Sequence, residues 1–256
     1  MQHGTFAPCT PLCRTLQYAD MTTHEGTIET VARRIGIITL ILAGIGLLVL
    51  HALPTPQLHA TTGAHIPYQP VNFLSEFVRT DYAPLMIACF FLLALGAMAT
   101  AVTLRRLRRE AILVAIAGIA LGLLGVFPTD LSDLTTDRFT CGSADRVEPC
   151  TVTGLIHNPL STMVFLPLLL TALSVCARSF KEPHWRGIAY LAVGCGVVAV
   201  GGIVGATFYL QSLGWEGRWW TGLMQRSLVF PALLWMGGLL IVTKNLPLRG
   251  TGMTDL

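Results

Sequence analysis

Three polar residues of this chain have the side-chain types that nucleophilic catalysis needs. His157 could act as a general base, Asp130 could orient it, and Ser75 could be the nucleophile. Such a set would suit a hydrolase or transferase that acts on lipids. In the other interpretation, His157 hydrogen-bonds a neighbouring helix end and has no catalytic role. The three residues are far apart in sequence, so the elements between them must bring them together.

Arg226 is the second chemically informative residue, because it lies in the first turn of an apolar segment, directly after Gln225. A guanidinium at the edge of the hydrocarbon layer is costly unless it reaches water or pairs with an acceptor. One interpretation is a structural ion pair with Glu76, Asp81 or Asp130. The other is an anion clamp for a lipid phosphate or carboxylate, which arginine suits geometrically. The anion-binding hypothesis comprises Arg226, Gln225, Glu76 and Asp81.

Six apolar stretches must position these side chains. Each has about the 20 residues that a helix needs to cross a bilayer. The composition agrees, because 53% of the 256 residues are hydrophobic and only 12% are charged, against about 25% in soluble domains. The sequence predicts an all-α, polytopic membrane protein with six transmembrane helices. The stretches are Ile35–Leu53, Ala83–Leu104, Ala111–Phe127, His157–Ala177, Ile188–Leu210 and Leu223–Val242.

The distribution of basic residues predicts the orientation of the chain. Of its 17 lysines and arginines, five fall on the side that holds the candidate site: Arg79, Arg138, Arg146, Arg218 and Arg226. The remainder lie at the termini and in the alternate loops. Cytoplasmic loops are enriched in lysine and arginine, so we expect both termini in the cytoplasm of a cell with the protein in its inner membrane. The candidate site then faces outward.

Metal and nucleic-acid binding are not expected. His51, His59, His65 and His157 fall on the same predicted side, and three of them with Asp130 would form a conceivable zinc site. No spacing rule supports that set, so we predict neither a metal nor a cofactor. The net charge of +3 and the lack of a basic tail predict no nucleic-acid partner.

The predicted domain organisation is simple. Residues 1–30 form a flexible cytoplasmic segment, 31–245 the six-helix domain and 246–256 a cytoplasmic tail. Either Met1 or Met21 could be the natural start of the protein. The loop 128–156 would lie outside the cell, where oxidation is favoured, so a Cys141–Cys150 disulfide is expected there.

Four short motifs give the chain a resemblance to a known family. They are Asn72–Phe77, Gly125–Asp130, Gly154–His157 and Gly222–Arg226. In order and spacing they resemble the "domain of unknown function 998" family of bacterial and archaeal membrane proteins, over roughly residues 30–245. More distantly the chain is similar to Frag-, DRAM- and Sfk-type membrane proteins. The resemblance implies six helices and gives no activity.

Three functions remain open at this point. The first is a non-enzymatic protein with an outward-facing polar pocket that binds a lipid headgroup, or an accessory subunit that binds a membrane-protein partner or a second copy of itself. Its basis is the Arg226 cluster and the lack of a complete catalytic set. The second is the intramembrane hydrolase or transferase built on His157, Asp130 and Ser75. A small transporter is the third.

Overall fold

Six long helices dominate the computed structural model, which describes residues 11–60, 63–69, 71–131, 151–212 and 222–243. Each helix is, or contains, a segment long and apolar enough to cross a membrane. The prediction of a six-helix, multi-pass membrane protein is therefore confirmed. The helices are α1 (Pro11–Ala52), α2 (Ala83–Thr103), α3 (Arg108–Val126), α4 (Val152–Ser179), α5 (Arg186–Ser212) and α6 (Gly222–Val242).

The helices follow from the hydrocarbon environment that the apolar segments are suited to. In hydrocarbon every backbone N–H and C=O must be satisfied within the chain, and a helix does this within one apolar segment. Helix α1 starts at Pro11, well before the apolar stretch that begins at Ile35. It therefore extends into the segment predicted to be flexible, whose flexibility stays a prediction, as do the domain boundaries.

Neighbouring helices in the sequence pack against one another, and α6 returns to α1 and α2. Small residues allow the close approach between α1 and α2: Gly46 faces Cys89 and Gly96 faces Leu40. Close packing of this kind holds membrane helices together, because lipid supplies no hydrophobic driving force between them. The arrangement leaves α5 in close contact chiefly with α6, and more loosely with α4.

A small cap, built of a β-hairpin and a 3-10 helix, joins α1 to α2. Strands β1 (Gln57–His59) and β2 (His65–Pro67) form an antiparallel hairpin in which Leu58 pairs with Ile66. A 3-10 helix, Leu74–Arg79, follows and buries Leu74 and Phe77. Leu58 also bridges to Thr80, which ties the hairpin to this 3-10 helix. The all-α class is confirmed, and the cap is an addition that the sequence patterns did not predict.

The connection between α3 and α4 is only partly described. Helix α3 ends at Val126 just before Pro128, and α4 begins at Val152 with Thr151 as its N-cap, whose side chain accepts from the Gly154 N–H at 3.1 Å. Cys141 and Cys150 lie outside the described residues, so their disulfide stays a prediction. Cys89, Cys176 and Cys195 are free thiols.

Candidate functional site

The predicted polar residues lie at one end of the bundle, here called the Arg226 end. The N-termini of α2, α4 and α6 and the C-termini of α1 and α3 meet there. Helix α5 runs antiparallel to α6, because Gly202 faces Ser227 at this end and Gly238 faces Ile188 nearer the other. The candidate residues of the sequence analysis lie on or beside these helix ends.

Arg226 is held by three neutral acceptors. Its Nε donates to His51 Nε2 at 2.9 Å, its Nη1 to the Asn72 carbonyl at 2.8 Å, and its Nη2 to the Tyr68 hydroxyl. His51 Nδ1 lies 2.6 Å from the Leu47 carbonyl. That contact makes Nδ1 the donor, so Nε2 of the neutral ring accepts from arginine. The guanidinium thereby joins α6 to α1 and to the cap.

Glu76 belongs to the same network and is completely buried. Asn72 lies between the two charges: its side-chain amide donates to Glu76 Oε2 at 2.6 Å, and its carbonyl accepts from Arg226. Burial raises the pKa of Tyr68 to about 12, although the neighbouring Arg226 opposes the shift. The phenol therefore stays protonated, and it can donate to the Asn72 carbonyl at 3.2 Å while it accepts from arginine.

Gly222 and Gln225 fasten the first turn of α6 to the cap. The Gly222 N–H donates to the Val71 carbonyl at 2.8 Å, and a side chain at this glycine would overlap the Asn72 carbonyl. The Leu74 N–H donates to Gln225 Oε1 at 2.5 Å. Close backbone approach explains why glycine stands here.

A second network surrounds Asp130, whose side chain is only 1 % exposed. Thr151 donates to its carboxylate twice, from Oγ1 at 2.6 Å and from the backbone N–H at 3.0 Å. Arg79 Nη2 lies 3.4 Å from Oδ1, and Arg79 Nε donates to the Thr129 carbonyl. The carboxylate is thus placed at the N-terminus of α4, where the helix dipole favours negative charge. Asp81 is apart from both networks and pairs with His59 at 2.7 Å on the exposed surface.

His157 is 2 % exposed and stands between these networks. Its Nδ1 lies 2.7 Å from the Phe127 carbonyl and therefore donates to it. Its Nε2 is buried and has no hydrogen-bond partner among the described residues. The imidazole is consequently oriented by a backbone carbonyl of α3, whereas Asp130 bonds elsewhere. Among the described residues, the His157 ring forms no hydrogen bond to Ser75 or to Asp130.

Ser75 and His157 nevertheless border the same two cavities. The larger, here called the main cavity, has a volume of about 620 Å³ and lies between α4, α5 and α6. The smaller, of about 50 Å³, lies deeper in the bundle. Gln225 also borders both, whereas Arg226, Glu76, Asp81 and Asp130 line neither.

The main cavity is polar at the Arg226 end and apolar beyond it. Its α5 wall consists of small residues at helical spacing: Ala192, Cys195, Gly196 and Ala199. Its deeper walls carry leucines of α4 together with Trp235 of α6, whose buried Nε1 has no hydrogen-bond partner in the described part of the chain. The small side chains of α5 make the space that the larger ones enclose.

The sequence was compared with known proteins. A family model described as a protein of unknown function, DUF998, matches residues 58–242. The chain belongs to this family. No curated protein and no solved structure matches.

The DUF998 match extends from the cap to the end of α6, so it includes both networks apart from His51. The more distant likeness to Frag-, DRAM- and Sfk-type proteins stays a prediction. Neither the family description nor the fold supplies an activity.

The sequence patterns missed the acceptors that hold Arg226 and the donor Thr151 that holds Asp130. Tyr68, Asn72 and Thr151 were not among the candidate residues, and His51 was considered only as a metal ligand. In the structure His51 bonds Arg226, while His59 and His65 stack in the hairpin with ring centroids 4.7 Å apart. A signal for Thr151 was present in the sequence, since threonine is one of the residues preferred at a helix N-cap.

Proposed function

We propose that this DUF998 protein binds one amphipathic, lipid-like molecule in the main cavity. The observation that carries the proposal is a membrane-embedded cavity of about 620 Å³ with polar side chains at one end and apolar walls beyond. Ligand sites are commonly concavities of about 300–1,000 Å³ lined by apolar groups and a few polar ones. A lipid headgroup would lie near His157, Ser75 and Gln225, and a chain would extend along α5 toward Trp235.

The geometry changes which residues support lipid binding. Arg226 was predicted as an anion clamp with Glu76 and Asp81, but its three nitrogens already donate within the protein and it does not border the cavity. Its anion-binding role therefore stays a prediction. Gln225 is the member of that set which borders the cavity, and its Oε1 is fixed by the Leu74 N–H.

Gly196→Leu tests the proposal with little risk to the fold. A side chain at Gly196 meets nothing within 4 Å, yet the residue lines the main cavity. Leucine would therefore fill space that the ligand needs. Gly194→Leu is the matched control, because Gly194 is equally unobstructed on the same helix and does not line the cavity.

The measurement is native mass spectrometry of protein purified in mild detergent. Wild type and Gly194→Leu are expected to retain a lipid-mass adduct, and Gly196→Leu is expected to lose it. Equal retention by Gly196→Leu and wild type would show that the main cavity is not the binding site.

A lipid hydrolase or transferase is the second candidate, and one observation favours it. Ser75 and His157 border the same cavities, and His157 Nε2 is an acceptor of the kind that a general base needs. Ser75→Ala should then abolish release of fatty acid from a glycerolipid while lipid binding persists. If Ser75→Ala and wild-type protein give the same reaction rate, or if neither reacts, Ser75 is not a nucleophile.

We further infer an inner-membrane location with both termini in the cytoplasm, which would turn the Arg226 end outward. The uneven distribution of lysine and arginine supports this orientation. An accessory role beside a membrane-protein partner, or self-association, is compatible with a lipid site and stays a prediction.

A further inference from the structure

Among the described residues that line the polar end of the main cavity, none has a charged side chain, and this bears on the ligand's headgroup. The inference rests on the proposed lipid-binding function and specifies the chemical class of the lipid. Besides His157, the polar end offers hydroxyl and carboxamide groups from Ser75, Thr129, Asn158, Ser161, Thr162 and Gln225. Neutral groups of this kind hydrogen-bond hydroxyls well, but they do not compensate a desolvated phosphate or carboxylate.

In the described part of the chain, Arg226, Asp130 and Arg79 at the Arg226 end are engaged in their own networks. All three nitrogens of Arg226 donate to His51, Asn72 and Tyr68. The carboxylate of Asp130 accepts from Thr151 and lies near Arg79. To gain a counter-charge from these described residues, an anionic headgroup would have to break one of the two networks, and that cost disfavours it.

His157 indicates which group the headgroup must carry. Its Nδ1–H donates to the Phe127 carbonyl, so its buried Nε2 is an acceptor, and it has no hydrogen-bond partner among the described residues. A buried polar atom left without a partner is costly, and buried polar groups are generally hydrogen-bonded. A hydroxyl donor brought by a ligand would remove that cost.

We propose that the ligand is an uncharged lipid whose headgroup carries a free hydroxyl, and that this hydroxyl donates to His157 Nε2. The headgroup is then recognised by one fixed acceptor and by the surrounding hydroxyls and amides. The chain portion occupies the apolar part beside Gly196 and Ala199. An uncharged diacylglycerol is the simplest molecule of this class.

Three lipids with the same acyl chains test the two parts of the proposal, which are the free hydroxyl and the lack of charge. Dioleoylglycerol has the free hydroxyl, 1,2-dioleoyl-3-acetylglycerol lacks it, and dioleoylphosphatidic acid replaces it with an anion. Each is titrated into the detergent-solubilised full chain, and the bound fraction is measured by native mass spectrometry. We expect dioleoylglycerol to bind about tenfold more tightly than either analogue, as the loss of a hydrogen bond to a buried acceptor implies.

His157→Asn is the matched variant, because the shorter amide can still donate to the Phe127 carbonyl while the acceptor at Nε2 is lost. We expect the preference for dioleoylglycerol over its acetate to fall to within about twofold. If His157→Asn does not fold, the comparison of the three lipids on wild-type protein decides alone.

The outcomes distinguish the inference from the function on which it rests. Phosphatidic acid that binds as tightly as dioleoylglycerol, with binding lost in Gly196→Leu, overturns the uncharged headgroup and leaves the cavity as a lipid site. Equal binding of dioleoylglycerol and its acetate overturns the role of His157. If no lipid binds wild type above the level seen with Gly196→Leu, both the inference and the proposed function fail.

Discussion

At the scale of single residues, Tyr68 connects the two charged residues of the Arg226 network, Arg226 and the buried Glu76. Its hydroxyl accepts from Arg226 and donates to the Asn72 carbonyl, while Asn72 donates to Glu76. Tyr68→Phe should lower the free energy of unfolding by about 1–3 kcal/mol, because a buried hydrogen bond to a charged group is lost. Tyr190→Phe is the control, since Tyr190 is exposed. Thermal unfolding in detergent measures both.

The same variant carries a pH signature. Burial raises the pKa of Tyr68 from 10.0 to about 12. Between these values the unfolded phenol ionises and the folded one does not, so wild type loses stability as pH rises through this range. The stability advantage of wild type over Tyr68→Phe should therefore shrink between pH 10 and pH 12. A constant difference across that range would contradict the proposed burial of the phenol.

The site was predictable in its location but not in its pairings. Helix order alone placed Arg226, His157 and Asp130 at one end of the bundle, because helix ends must alternate between two sides. The partners of Arg226 come from His51 at the end of α1 and from Tyr68 and Asn72 in the cap. The path of that connection depends on a short hairpin that leaves no strong periodic signal in the sequence.

At the scale of elements, two glycines allow the cap and α4 to approach their partners. A side chain at Gly154 would overlap the Asp130 carboxylate, and one at Gly222 would overlap the Asn72 carbonyl. Gly154→Ala should destabilise the protein by at least about 2 kcal/mol, because it displaces a buried carboxylate from its donors. Gly222→Ala should do likewise through the backbone.

Gly205→Ala is the matched control for both glycine variants. A side chain there meets nothing within 4 Å, and the residue lies inside α5. Alanine in a helix interior is favoured over glycine by about 0.5–1 kcal/mol, so this variant should melt at the same temperature or higher. Comparable melting of Gly154→Ala and Gly205→Ala would refute the close packing of Gly154 on Asp130.

The helices themselves could be predicted from the sequence, because each apolar stretch has the length needed to cross a bilayer. Their ends were predicted less well. Helix α4 starts at Val152 rather than at His157, because Thr151 is its N-cap. The cap between α1 and α2 could not be predicted in the same way. Its strands are three residues long, and Leu58 is held by pairing with Ile66 and bridging to Thr80 rather than by an alternating pattern.

At the scale of the whole molecule, the arginines bear on the orientation of the chain. At the Arg226 end, the described arginines Arg79 and Arg226 are both bonded within the protein. At the opposite end Arg108 and Arg109 are exposed, whereas Arg106 pairs with Glu29 at 3.3 Å. The uneven distribution of lysine and arginine along the sequence supports the expectation that the opposite end faces the cytoplasm.

Reporter fusions in a bacterial host test that orientation. A fluorescent protein that matures only in the cytoplasm should fluoresce when fused after Leu256, and alkaline phosphatase, active only outside, should be inactive there. Alkaline phosphatase inserted between Thr61 and Thr62, in the connection between α1 and α2, should be active. The inverse pattern would place the polar end of the main cavity on the cytoplasmic side. A lipid ligand would then have to enter from the inner leaflet rather than the outer one.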